Sequence, residues 1–155
     1  MVMDFPPNSI VIVMDVSQPA TADRLTVFRM EGRTPVVISR TKAAVGRGSD
    51  PDGDGWLDRF SNAHNSLATS EGRYRIAEQY VGKYGVSYRL DGLDSTNSNA
   101  RSRAVVIHEA AYVTPTRAGR SYGCIAVMRG YIKNTLAPLL SKTSQAFLVV
   151  RKGND

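Results

Sequence analysis

The eight residues SIVIVMDV at positions 9–16 decide the fold class. This apolar, largely β-branched run has the length of a strand rather than of a helix, and it reads as a buried strand. A turn over 17–22 leads to RLTVFRM at 24–30. There Leu25, Val27 and Arg29 share one face, and Thr26, Phe28 and Met30 share the other. Glu31, Gly32 and Arg33 form a tight turn into a third strand at 34–39, so the chain opens as a meander. Further strands are expected at 72–76, 87–90, 104–108 and, as FLVVR, at 147–151. The best helix is 127–140, trimmed by Gly130 and Pro138. Many short strands with one helix imply a mostly β (β-rich α+β) domain, a barrel or sandwich with a helix against it. Residues 44–72 are a long connection rich in Gly, Asp, Ser and Asn, and such loops in compact domains are usually functional or ion-stabilised. The chain shows no internal repeat, linker or low-complexity tract.

At 155 residues and 42% hydrophobic content, the chain has room for one domain, 1–155, with a real core. No apolar run approaches the ~20 residues that would span a bilayer. Twenty Lys and Arg against fourteen Asp and Glu give a net charge of +6, which favours anionic partners, nucleic acid or an acidic polymer such as bacterial cell wall. The basic residues are scattered, and no helix-turn-helix, zinc finger or RNP-like segment accompanies them, so nucleic acid is not expected. The N-terminal MVMDFPPNSIVIVMDVSQPA lacks the basic and apolar regions and the cleavage site of a secretory signal. Either export takes another route or this is a mature form. The one cysteine, Cys124, excludes an internal disulfide and a multi-thiolate metal site. Its thiol is either inert packing or chemistry.

The strongest local signal is a pair. The strand AVVI at 104–107 delivers His108 to an element end, and Cys124 follows sixteen residues later within GRSYGCIAV at 119–127. A helix beginning at Cys124 would favour thiolate through its N-H groups and dipole. Cysteine with a nearby histidine is the minimum for nucleophilic acyl transfer, in which imidazole takes the thiol proton and thiolate attacks a carbonyl. Gly123 lets the backbone come close to the developing oxyanion, with N-H groups of Cys124 and a neighbour as donors. The competing reading makes Cys124 a small buried hydrophobe and His108 a satisfied structural residue.

The run VVIHEAAYV followed by GRSYGCIAV resembles the catalytic signature of the L,D-transpeptidases, the YkuD-like family, and especially its murein L,D-transpeptidase branch. The likeness extends through GRGSDPDGDGWLDRFSN, SLATSEGRY, YVGKYGVSYRLDGLD and NARSRAVVIH, covering roughly residues 9 to 150. The resemblance implies a mostly β catalytic fold and action on peptidoglycan tetrapeptide stems through a cysteine thioester, with no cofactor. It implies Cys124 as nucleophile, His108 as general base, Gly123 with Cys124 as the oxyanion environment, and Ser121 as the serine of the Cys motif. It also implies a periplasmic or extracytoplasmic location. The chain departs from the wider family in having Tyr122 where a His is common and Glu109 where Gly or Ser often follows the catalytic His. Ala126 stands where Arg or Asn commonly lies, and the spacing from His108 to Ser121 is a little short. With water as acceptor the same site is an L,D-carboxypeptidase. A toxin delivered to a rival's wall and a noncatalytic wall-binding module remain as other readings.

Arg120, Arg89 and Arg117 are candidates for gripping stem carboxylates, since guanidinium binds carboxylate in a bidentate fork; the alternative is solvated surface charge, above all for Arg117. Tyr122 either lines the acyl-donor cleft or packs, and His64 is expected at the surface. Counted from Asp50, acidic residues at the first, third, fifth and ninth places (Asp50, Asp52, Asp54, Asp58), with Gly55 sixth, match the start of a calcium loop. Ser61 stands where the bidentate Glu would be. The alternative is an Asx-rich turn, and no metal ligand is assigned to the catalytic site.

Overall fold

A computed structural model describes residues 4–153. The apolar run at 9–16 becomes β1 (Ile10–Asp15), buried because strands cover both its edges. β2 (Leu25–Glu31) pairs with it antiparallel, and the last strand of the chain, at Ala146–Arg151, pairs parallel. Alternation then divides its side chains. Ile10, Ile12 and Met14 join the main core, while Val11 and Val13 join a smaller cluster with Met30 and Val149. The two faces read in β2 hold: Leu25 and Val27 enter the main core, and Phe28 and Met30 pack on the other side. Gly32, at φ +63°, makes the turn into β3 (Thr34–Thr41).

The remaining strands are β4 (Ala43–Gly46), β5 (Gly72–Gly82), β6 (Gly85–Gly92), β7 (Val106–Glu109), β8 (Arg120–Ser121), β9 (Ile125–Val127) and β10, the strand Ala146–Arg151. All ten lie in one sheet of order β3-β2-β1-β10-β5-β6-β7-β9-β4-β8, curled into a half-barrel. The sandwich alternative falls, because no second sheet faces this one among the described residues. Ile132 and Leu136 of the helical segment close the main core against Tyr74, Leu90, Ile107, Ile125 and Leu148.

Most strand ends shift by one or two residues, as where the strand expected at 104–108 runs over Val106–Glu109 with Ala104 in the preceding turn. Three boundaries differ by three residues or more. The strand at 72–76 continues to Gly82, crossing a register shift between Ile76 and Gln79. The connection expected from residue 44 starts at 47, because Ala43 and Ala44 pair with Val127 and Ala126. The helix expected from 127 begins later. Ile125–Val127 is taken into the sheet, Gly130 turns the chain at φ +90°, and a π-turn at Ile132–Leu136 precedes α1 (Ala137–Leu140). Pro138 sits in the first turn of α1, where its missing N-H is not needed.

Candidate active site

β7 and β9 run parallel, with Ile107 opposite Ile125 and His108 opposite Ala126. Side chains alternate along each strand, so Ile107 and Ile125 enter the main core while His108 and Ala126 share the other face. Cys124, one residue before β9, extends that second face two positions along from Ala126. Ala44 of β4 lies opposite Ala126. Three strands therefore present His108 beside small side chains, and the imidazole has room to lie in the sheet surface with only 2% of the residue exposed.

His108 is oriented from both sides. Its Nδ1 lies 2.9 Å from the Glu109 carbonyl oxygen. A carbonyl can only accept, so Nδ1 carries the proton and Nε2 is left as the basic nitrogen. The residue after the histidine thus supplies the orienting carbonyl although it is Glu rather than Gly or Ser. Its side chain is used elsewhere, with Glu109 Oε2 accepting the Ile132 N-H at 2.8 Å. The Tyr84 ring stacks on the imidazole, with centroids 4.2 Å apart and planes 15° from parallel. Burial lowers the imidazole pKa below its ordinary value; the Glu109 carbonyl opposes that shift and the Lys83 ammonium adds to it.

No helix begins at Cys124, so no helix dipole acts on its sulfur. The half-buried thiol is pushed above its ordinary pKa by desolvation, while the Val106 N-H, Arg103 and Lys83 pull it back down. Its Sγ lies 3.7 Å from the Ala104 carbonyl oxygen. Both shifts run toward the neutral form of each group, and desolvation is the largest cause of each.

The Cys motif is held from beneath. Ser121 is buried, donates its hydroxyl to the Cys124 carbonyl at 2.6 Å and accepts the Gly123 N-H at 3.1 Å. Both bonds of its hydroxyl lie within the turn itself. Gly123 has its N-H committed to that bond and sits at φ +121°; a Cβ there would lie 3.2 Å from the Ala68 carbonyl oxygen. Its contribution is the sharp turn that presents Cys124.

Cys124 opens onto a groove of about 490 Å³ lined also by Tyr122, Tyr84, Lys83, Arg103 and His64. Tyr122 is 64% exposed here, and His64 is at the surface as expected, its Nε2 3.3 Å from Ser102 Oγ. Of the described non-glycine residues with positive φ, three of four (Asn65, Leu67 and Ala104) line this groove. Such strain persists where the surroundings enforce it, which is typical of functional sites. A second groove of about 430 Å³, lined by Glu109, Tyr112 and Arg129, meets the first at Lys83 and Tyr84.

The arginines singled out from the sequence do not line the groove. Arg120 donates Nη1 to the carbonyls of Asp50 (2.9 Å) and Pro51 (3.2 Å). Arg117 donates to the Gly53 carbonyl at 3.0 Å. Arg89 lies over the Tyr80 ring at 4.0 Å and pairs with Glu78 at 3.7 Å. Arg103, Lys83 and Tyr84 take the places near the thiol. Arg103 Nη2 donates to the Ala68 carbonyl at 2.7 Å and to Ser66 Oγ at 3.1 Å, and Nη1 to the Ser61 carbonyl at 3.2 Å. Lys83 and Tyr84 form the tip of the β5–β6 hairpin, and the flanking glycines in GKYG were the available signal for a tight turn.

No curated protein matches the chain. Among solved structures it is similar to the helical cell shape determining protein Pgp2 of Campylobacter jejuni (TM-score 0.68, 13% identity, 96% of this chain and 49% of that one). It is also similar to Bd1075 of Bdellovibrio bacteriovorus (0.56, 21%, 90% and 46%) and to an L,D-transpeptidase of Mycobacterium smegmatis (0.50, 14%, 91% and 58%). The chain spans about half the length of these proteins, and at such identities the likeness shows the fold alone. The family model for the L,D-transpeptidase catalytic domain, YkuD_2, matches residues 4–148, a stretch that contains β7, the Cys motif and the walls of the groove, and the chain belongs to that family.

Proposed function

We propose that the protein is a peptidoglycan L,D-transpeptidase acting through a Cys124 thioester on tetrapeptide stems. The observation that carries this reading is the placement of Cys124 at a groove mouth, one residue before β9, while the adjacent parallel strand β7 carries His108 with its Nδ1-H fixed on a backbone carbonyl. His108 Nε2 takes the thiol proton as Sγ attacks the carbonyl that precedes the terminal D-residue. The Cys124 N-H holds the oxyanion. The peptide C–N bond then breaks, the D-amino acid leaves with the proton from His108, and an acyl-enzyme remains. An amine deprotonated by His108 attacks the thioester and expels the Cys124 thiolate, which is reprotonated.

Two grooves that meet at the Lys83–Tyr84 tip favour two peptide substrates, and hence transfer over hydrolysis. Lys83 borders both grooves and replaces the sequence-chosen arginines as the anchor for a stem carboxylate. The substrate places this work outside the cytoplasm. Mass spectrometry of products from purified tetrapeptide muropeptides tests the reading. Crosslinked dimers from the wild type, with none from Cys124→Ala, support it. Shortened stems alone would make the enzyme an L,D-carboxypeptidase, and wall binding without turnover or thiol reactivity would make it a noncatalytic module.

A further inference from the structure

The acidic loop that follows β4 is not used by this chemistry. Asp50, Asp52 and Asp58 bring carboxylate oxygens within 4.8 Å of one another. The buried Arg24 guanidinium acts on Asp50 through its charge, but its hydrogen bonds go to the Ala43 and Gln18 carbonyls and not to the carboxylate. Arg120 and Arg117 are spent on the backbone carbonyls of Asp50, Pro51 and Gly53, and no ion pair to these three carboxylates occurs among the described residues. Asp54 accepts the Trp56 N-H at 2.9 Å, and its carboxyl also adjoins those of Asp50 and Asp52, which adds negative charge to the converging three.

A second, independent observation concerns Asp50 itself, which is only 3% exposed. Its Oδ2 accepts the Gly55 N-H at 3.0 Å, but its Oδ1 is buried with no hydrogen-bond partner. A carboxylate oxygen shielded from water and left unpaired is costly, and two further carboxylates beside it raise the cost. One hard cation relieves both, because oxygen donors of this kind satisfy calcium at 2.3–2.6 Å.

We propose that Asp50, Asp52 and Asp58 bind a divalent cation of the calcium class and that this ion braces the 47–71 loop against β8. The brace runs through Arg120, whose guanidinium ties the Asp50 and Pro51 carbonyls to the residue before Ser121. The site is independent of the thiol chemistry. Without the bidentate Glu of a full calcium loop, its affinity belongs with the weak extracellular sites, at dissociation constants of about 0.1–1 mM.

Trp56, the single tryptophan, lies within the loop and makes terbium the natural probe. Excitation of Trp56 in the whole protein is expected to sensitise saturable Tb3+ emission that CaCl2 displaces at least tenfold more effectively than MgCl2. In melting experiments, about 10 mM CaCl2 should raise Tm by several degrees over EDTA. Asp52→Asn and Asp58→Asn change exposed carboxylates at constant shape, so folding is retained; each should weaken Tb3+ binding tenfold or more and abolish the Tm rise. Trp56→Phe should lose the emission and keep the Tm rise. Absence of saturable emission together with a Tm indifferent to calcium would overturn the proposal, as would unchanged binding in both Asn variants. Equal displacement by MgCl2 would overturn the assignment to calcium.

Discussion

Gly46→Ala is the sharpest mechanical perturbation of the site that leaves its chemistry untouched. Gly46 ends β4 with φ −69° and ψ 152°, a conformation open to any residue, so the backbone itself does not require glycine there. Contact does. A Cβ at this position would lie 2.1 Å from the Leu67 carbonyl oxygen, 2.7 Å from Gly123 Cα and 2.9 Å from Gly123 N. All three are backbone atoms, so no side-chain rotation relieves the clash. Either β4 leaves its pairing with β8 or the turn carrying Cys124 moves. Overpacking against a rigid surround costs about 1–3 kcal/mol, and a clash with backbone on two sides belongs at the top, near 3 kcal/mol. In a chain of this size that corresponds to a fall in Tm of about 6–12 °C. Gly32→Ala is the control. No atom lies within 4 Å of its added Cβ, and only φ +63° opposes the change, at about 1 kcal/mol. Urea denaturation gives the stabilities, and the rate of Cys124 alkylation by iodoacetamide reports the turn. Gly46→Ala should lose more stability than Gly32→Ala and alter the alkylation rate, whereas Gly32→Ala should leave that rate unchanged. Wild-type stability within about 0.5 kcal/mol, together with an unchanged alkylation rate, would refute the close-approach argument.

Two further outcomes follow from His108. Its folded pKa is lowered below the ordinary 6.5, so on acidification the unfolded chain binds that proton first, and stability should fall as pH drops through 6.5. Urea midpoints compared between about pH 7.5 and 5.5, above the carboxylate range, should show a decline that His108→Gln removes. Tyr84→Ala uncovers the imidazole and weakens its desolvation, so its pKa should rise and the acid limb of the pH–rate profile should move to higher pH. An unmoved limb with lowered turnover would reduce Tyr84 to packing.

Elements whose signal lies within a few consecutive residues were legible. β1, β2, β3 and β10 could be read because unbroken or alternating apolar runs need only local period and length. β4, β8 and β9 were missed or misread, since their two to four residues have no pattern of their own. Ala43-Ala44 and Ile125-Ala126-Val127 are strands because they find each other. The helix-like reading of Val127 lost to that pairing, and with it went the helix dipole expected at Cys124.

The candidate site divides in the same way. The chain itself marked Cys124, its only thiol, and His108 at the end of an apolar strand, because reactive side-chain types and their neighbours are local properties. Which charges serve the site was decided by tertiary contact. Arg120, Arg117 and Arg89 found carbonyl, carboxylate and aromatic partners elsewhere, while a hairpin tip some forty residues from Cys124 carried Lys83 and Tyr84 to the groove. An arginine's partner depends on which backbone atoms come within about 3 Å of it, and that distance exists only once the sheet has curled. The DPDGDG loop spans both levels: its oxygen spacing is written in the sequence, but the burial that leaves Asp50 Oδ1 unpartnered belongs to the fold.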